Sequence, residues 1–135
     1  MLPGMSAVLL MMLVTGADGC AHEVVLEGKR LSGGPVQHCI REAMAVKLDD
    51  EDFVAVRVEA PHRFDASVRS RVFIYRVKGD QLEPRFLGSG FSSREVKALF
   101  PLSGALGVET LTADGKAERL RCVFDGFPLV CTPLS

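Results

Sequence analysis

Residues Arg71–Gly90 read RVFIYRVKGDQLEPRFLGSG, and their reading decides the architecture of this 135-residue chain. Val72, Phe73, Ile74, Tyr75 and Val77 form a β-branched and aromatic run that suits a pleated, buried surface. Gly79-Asp80 is a two-residue turn with glycine at its first position. A hairpin centred there sets Phe73 against Phe86, Val77 against Leu82 and Arg76 against Glu83, all favourable cross-strand partners. Pro84 falls opposite Tyr75 with its missing N–H turned away from this partner, which makes Leu82–Leu87 an edge strand. The first strand is apolar on both faces near its centre and belongs inside the sheet.

The C-terminal third reads as an antiparallel meander. A three-residue turn Ala113-Asp114-Gly115, with Gly115 left-handed, pairs Val108 with Leu120, Glu109 with Arg119 and Leu111 with Ala117. A two-residue Asp114-Gly115 turn would set Glu109 against Leu120, a worse match. Cys122 and Cys131 are equidistant from the Gly126-Phe127 junction. A hairpin turning there makes them a directly opposed, non-hydrogen-bonded pair with the close Cα spacing that a disulfide needs. A Cys122–Cys131 bridge is therefore expected; two core thiols would be the reading for a cytosolic chain. Cys20 and Cys39 remain as a possible second pair. No Cys-x-x-Cys or zinc-type spacing occurs, so no metal site is expected from cysteine.

The N-terminus is different material. Met5–Val14, MSAVLLMMLV, is an unbroken apolar run, too short for the ~20 residues that span a bilayer. It fits the h-region of a secretory signal peptide, with Ala17-Asp18-Gly19 as a small-x-small cleavage site and a cut near Gly19 or Ala21. No Lys or Arg precedes the run. The competing reading makes it a buried strand or helix of the domain. Cys20 at the cut raises a lipoprotein alternative, in which Cys20 is acylated and Cys39 is left unpaired. Ala17-Asp18-Gly19 lacks the Leu usual at the first position of a lipobox. The expected organisation is a signal peptide over 1–21 and one small β-rich domain over 22–135.

Within that domain, Glu23–Glu27 is a strand candidate and Ser32-Gly33-Gly34-Pro35 a breaker. Val36, Cys39, Ile40, Ala43 and Met44 recur at helical spacing, predicting a helix over Pro35–Val46 with Cys39 on its inner face. Asp49-Asp50-Glu51-Asp52 is an acidic loop, Phe53–Val58 a strand, and Pro61–Ser70 a polar connection carrying His62, Arg63, Asp65 and Arg69. Ser92 and Glu95 fit a capping box that opens a short helix, which Pro101 helps to stop. The predicted class is α+β: mainly antiparallel sheet with one or two short helices.

Candidate chemistry is thin. A net charge of −1 gives no reason to invoke nucleic acid, or a membrane other than through a lipid on Cys20. The Asp49–Asp52 run lacks the spaced Asp pattern of a calcium loop and reads as a solvated loop. His22, His38 and His62 are scattered. Gly88-Ser89-Gly90 ahead of a helix start only superficially suggests an anion site, with no Lys-Ser/Thr following. The serines lack the Gly-x-Ser-x-Gly elbow. Arg57, Arg63, Arg69, Arg71, Arg76, Arg85 and Arg94 crowd the centre and could line a surface for an acidic ligand, but Asp65, Asp80, Glu83 and Glu95 are interleaved and favour ordinary surface pairing. No catalytic, cofactor-binding or metal-binding residue is assigned.

Phe73–Ser89, with its aromatic-rich strand and Gly79-Asp80 turn, resembles a blade segment of bacterial FG-GAP/VCBS-like β-propeller proteins. Leu120–Phe127 echoes the pattern in Phe124-Asp125-Gly126-Phe127. The match covers about a third of the chain, and a propeller takes ~4–8 blades where this length holds about two. The resemblance implies an extracytoplasmic binding or scaffold module. The leading functional expectation is a secreted or periplasmic non-catalytic interaction module with a protein or small-molecule partner in the envelope. The alternative is an anchored envelope lipoprotein that inhibits or modulates a partner enzyme. A third reading, a small hydrolase, would need His38 or His62 beside an acidic residue or a serine.

Overall fold

The computed structural model describes residues 11–35, 37–60, 69–88 and 95–134. Every regular element among them is a β-strand: β1 (Met11–Thr15), β2 (Ala21–Leu26), β3 (Lys29–Leu31), β4 (Cys39–Leu48), β5 (Glu51–Glu59), β6 (Ser70–Lys78), β7 (Gln81–Phe86), β8 (Glu95–Leu102), β9 (Ala105–Leu111), β10 (Ala117–Phe124) and β11 (Leu129–Pro133). The larger sheet follows the order β1-β2-β4-β5-β6-β7, with β3 also on β2. The smaller is the meander β11-β10-β9-β8. Every strand pair is antiparallel.

The centre of the molecule is the β5–β6 pair, buried on both faces. Val54, Val56 and Val58 of β5 join Phe73 and Tyr75 of β6 in an inner core with Val24, Leu31, Ile40 and Leu82. Phe53 and Ala55 join Val72 and Ile74 on the opposite face, where the smaller sheet brings Val96, Leu99, Leu106, Val108, Leu120 and Phe124. Burial on both sides removes the polar alternation of a one-sided sheet, and the strands read as near-continuous apolar runs. The larger sheet curls around the inner core until its ends nearly meet. Just past β3, the Ser32 N–H donates to the Asp80 carbonyl at 2.9 Å, and the Leu82 N–H donates to the Ser32 carbonyl at 2.7 Å. This single parallel bridge ties β3 to the start of β7.

The turns behave as their residues dictate. Gly79 has φ 62°, and Val77–Leu82, Arg76–Glu83 and Tyr75–Pro84 are paired. Phe86 lies opposite Ile74 rather than Phe73, because an irregularity between Ile74 and Tyr75 inserts one extra residue on β7 after Pro84. The three-residue turn sets Val108, Glu109 and Leu111 against Leu120, Arg119 and Ala117, with Gly115 at φ 84°. Asp49 and Asp50 both adopt positive φ, 51° and 61°, so the acidic loop is a tight two-residue hairpin turn between β4 and β5.

The α+β expectation is corrected to all-β: among the described residues there is no helix. The stretch expected as the Pro35–Val46 helix is β4 from Cys39 onward, and Val36 lies outside the described residues. Its register shifts between Ile40 and Glu42. The bulge puts Ile40 and Ala43, three residues apart, on the inner core. Met44 and Val46 pack on the other core. A two-sided strand with one bulge thus imitates helical spacing. The second expected helix, read from its capping box, is also a strand. Ser92 is outside the described residues, and Glu95–Leu102 is β8, with a register shift between Val96 and Ala98. That shift sends Val96 and Leu99 into one core. The Glu95 carboxylate accepts from the Arg69 and Ser70 N–H groups at the entry to β6 instead of capping a helix.

Met11–Thr15, within the expected signal peptide, is β1; it pairs with β2 and lies against β4. The first part of the apolar run lies outside the described residues.

The closing contact of the curled sheet depends on Gly33. It has φ +88°, and a Cβ there would stand 2.6 Å from the Leu82 carbonyl oxygen. Gly33→Ala should therefore destabilise the fold by roughly 1–3 kcal/mol in urea unfolding. Gly28→Ala, also at positive φ but with nothing near its Cβ, should cost less.

Candidate functional site

The β10–β11 hairpin is braced by a disulfide, by a hydrogen bond across its turn and by a side chain from the other sheet. Cys122 and Cys131 face one another in the register and are disulfide-bonded across a Cα separation of 4.1 Å. The Asp125 N–H donates to the Pro128 carbonyl at 2.9 Å, and Gly126 takes φ 65° at the first turn position. Phe124, before the turn, points into the core and tilts against Phe53, with centroids 5.4 Å apart. Phe127, at the tip, is 82% exposed, the most exposed of the large apolar side chains described.

Arg85 holds this tip from the other sheet. Its guanidinium lies 3.9 Å from the Phe124 ring centroid and 4.9 Å from that of Phe127. Its two terminal nitrogens donate to the Gly126 and Phe127 carbonyls at 2.8 and 2.7 Å. The extra residue that shifts the β6–β7 register after Pro84 is what re-aims Arg85 out of the ladder. Phe53, Phe124, Arg85 and Phe127 thus stack from the core to the surface.

The other candidate residues are spread out. Cys20 and Cys39 are disulfide-bonded, with Cα atoms 5.1 Å apart. A lipid on Cys20 would need the same sulfur, so bridge and acylation exclude one another. Asp18, Cys20 and His22 place ligand atoms within 4.8 Å of each other. The Cys20 sulfur is spent in the bridge, which leaves an Asp18–His22 contact of 2.8 Å. The other ring nitrogen of His22 meets the His38 carbonyl at 2.8 Å, so both nitrogens of this ring face protein oxygen atoms. His22 pulls the Asp18 carboxyl below its ordinary range. His38 packs edge-on against Phe73 at 5.8 Å. The acidic run disperses: Glu51 reaches Arg76 at 3.3 Å and Asp52 reaches Lys47 at 3.7 Å. Among the arginines, Arg57 meets Glu42 at 3.1 Å and Arg76 meets Glu83 at 3.2 Å. Arg71 donates to the Leu87 carbonyl at 2.6 Å. His62, Arg63, Asp65, Ser89, Gly90 and Arg94 lie outside the described residues.

Fold and site together define a two-sheet all-β domain with a rigid, aromatic-tipped hairpin. Comparisons with protein families, curated proteins and solved structures find no match to this chain.

Arg85 was not legible as a site residue, since charge pairing explained it equally well. Arg85→Ala should lower stability by about 1–2 kcal/mol through the lost stacking and hydrogen bonds. It should also loosen the amides of residues 125–127 in hydrogen exchange. His38 supplies a pH test. Burial, reinforced by the Arg71 charge, lowers its pKa from 6.5. The unfolded chain therefore takes up this proton first as pH falls, and stability decreases below about pH 6.5. Urea midpoints should show His38→Phe gaining on the parent between pH 7 and about 5.5.

Proposed function

We propose that this protein is an exported, non-catalytic interaction module that engages a partner protein through the Phe127 hairpin. The carrying observation is the conjunction at the tip: a large aromatic side chain that is 82% exposed on a backbone fixed by a disulfide, a tight turn and the Arg85 clamp. Single exposed apolar residues are common on protein surfaces. One held rigidly at a protruding tip has the properties of a binding hot spot, because aromatic anchors dominate interface energies and rigid ones lose little entropy on docking. The partner is a protein with an apolar pocket for one aromatic ring, rimmed by polar groups.

The compartment is the second half of the proposal. Two disulfides and the absence of any free cysteine suit an oxidising environment. The apolar run ahead of Ala17-Asp18-Gly19 supplies the export signal. A cut on the N-terminal side of Cys20 keeps Cys39 bridged, whereas a cut after Cys20 would strand it.

Replacement of Phe127 by the photoreactive p-benzoylphenylalanine, in the cells that make the protein, tests the reading. Illumination should give one adduct of defined mass in the extracytoplasmic fraction. The same probe at Lys116, exposed on the β9–β10 turn, should not give it. An identical adduct pattern at both positions, or none at position 127, overturns the assignment.

A further inference from the structure

β2 and β4 share a single paired position, Ala21 with Ile40, and then diverge. β1 lies against both strands beyond that point. It pairs Met11, Met12, Leu13 and Val14 with Leu26, Val25, Val24 and Glu23. Met11 and Leu13 pack on the inner core, while Met12, between them, is 54% exposed. The alternation is that of a strand seated with one face in a groove. A cleft of about 590 Å³ lies where Leu26 meets Met44, Val46, Phe53, Val77 and Leu102. Among the described residues, β4 pairs there with β5 alone.

The other sheet margins are blunted. β7 carries Pro84, β8 carries a bulge and Pro101, and β11 ends on Pro133. These are devices that discourage strand addition. The edge of β2 that β1 covers has no proline, and an apolar strand of this same chain pairs along it and lies against β4.

We infer that this edge of β2 forms a strand-acceptor groove. This rests on the exported reading, because β1 lies inside the segment that signal processing would remove. Cleavage ahead of Cys20 takes β1 away, leaves the outer N–H and C=O groups of Glu23–Leu26 without a strand, and uncovers the inner core beside Val24 and Leu26. The occupant is an extended, antiparallel segment of a partner protein. Two apolar side chains at alternate positions take the places of Met11 and Leu13. Main-chain hydrogen bonds supply affinity, and the two apolar sites supply selectivity.

The test uses the processed protein from its own cells, with its N-terminus sequenced, and a synthetic peptide of residues 10–16, LMMLVTG, extended by C-terminal lysines for solubility. The peptide should bind one to one, raise the melting temperature and protect the amides of Glu23–Leu26 from exchange. The Leu13→Asp peptide should bind at least roughly tenfold more weakly, since it places a charge in the apolar site. Absence of binding to a chain that begins at Cys20 overturns the groove and leaves the exported reading standing. A concentration-dependent dimer with protected Glu23–Leu26 amides and no peptide uptake assigns the groove to a second copy and also overturns it. A native chain that retains Met11–Thr15 overturns the exported reading and the groove together.

Discussion

The structure depends on two strands that have no solvent face. β5 and β6 carry apolar side chains to both sides, and each side seeds a separate core. The curled larger sheet closes around one core, and the four-stranded meander covers the other. Without the β5–β6 pair there is neither an inner surface for Val24, Leu31 and Ile40 nor a floor for Leu99, Leu106 and Leu120. Adjacent placement follows from the sequence, since a tight Asp49-Asp50 turn delivers β4 onto β5. At the far end of β6, Gly79-Asp80 returns β7 beside it.

Local turn chemistry made the hairpins legible. Glycine at a turn position and complementary partners around it were enough to set the registers of β6–β7 near the turn and of β9–β10. The equal spacing of Cys122 and Cys131 about Gly126-Phe127 was enough for the last hairpin. Helical spacing failed for Pro35–Val46, and the capping-box signal failed for the stretch from Ser92. A bulge replaces the spacing of two by three between residues that share a core, as with Ile40 and Ala43 in β4 or Val96 and Leu99 in β8. Bulges leave no composition signature, and neither does the single bridge from Ser32 to β7, which depends on how far the whole sheet curls.

The third bulge connects fold to site. It follows Pro84, which has no N–H for the ladder, and it releases Arg85 from the pattern of cross-strand pairing. From there the guanidinium spans the gap between sheets and grips the Gly126 and Phe127 carbonyls. In the sequence Phe127 is only a turn residue, and Arg85 one arginine among several. Their partnership spans more than forty positions and becomes visible only when the two sheets are packed.

The proposed export would make these parts coherent: two bridges, an apolar N-terminal run, an exposed aromatic tip and an edge that β1 occupies. The most direct test is thiol alkylation of the protein from its native cells, read by intact mass before and after reduction. The account predicts a chain starting at Cys20 that takes no alkyl group before reduction and four after it, one for each cysteine. Four alkyl groups without reductant, on a chain that keeps its N-terminal run, would contradict it.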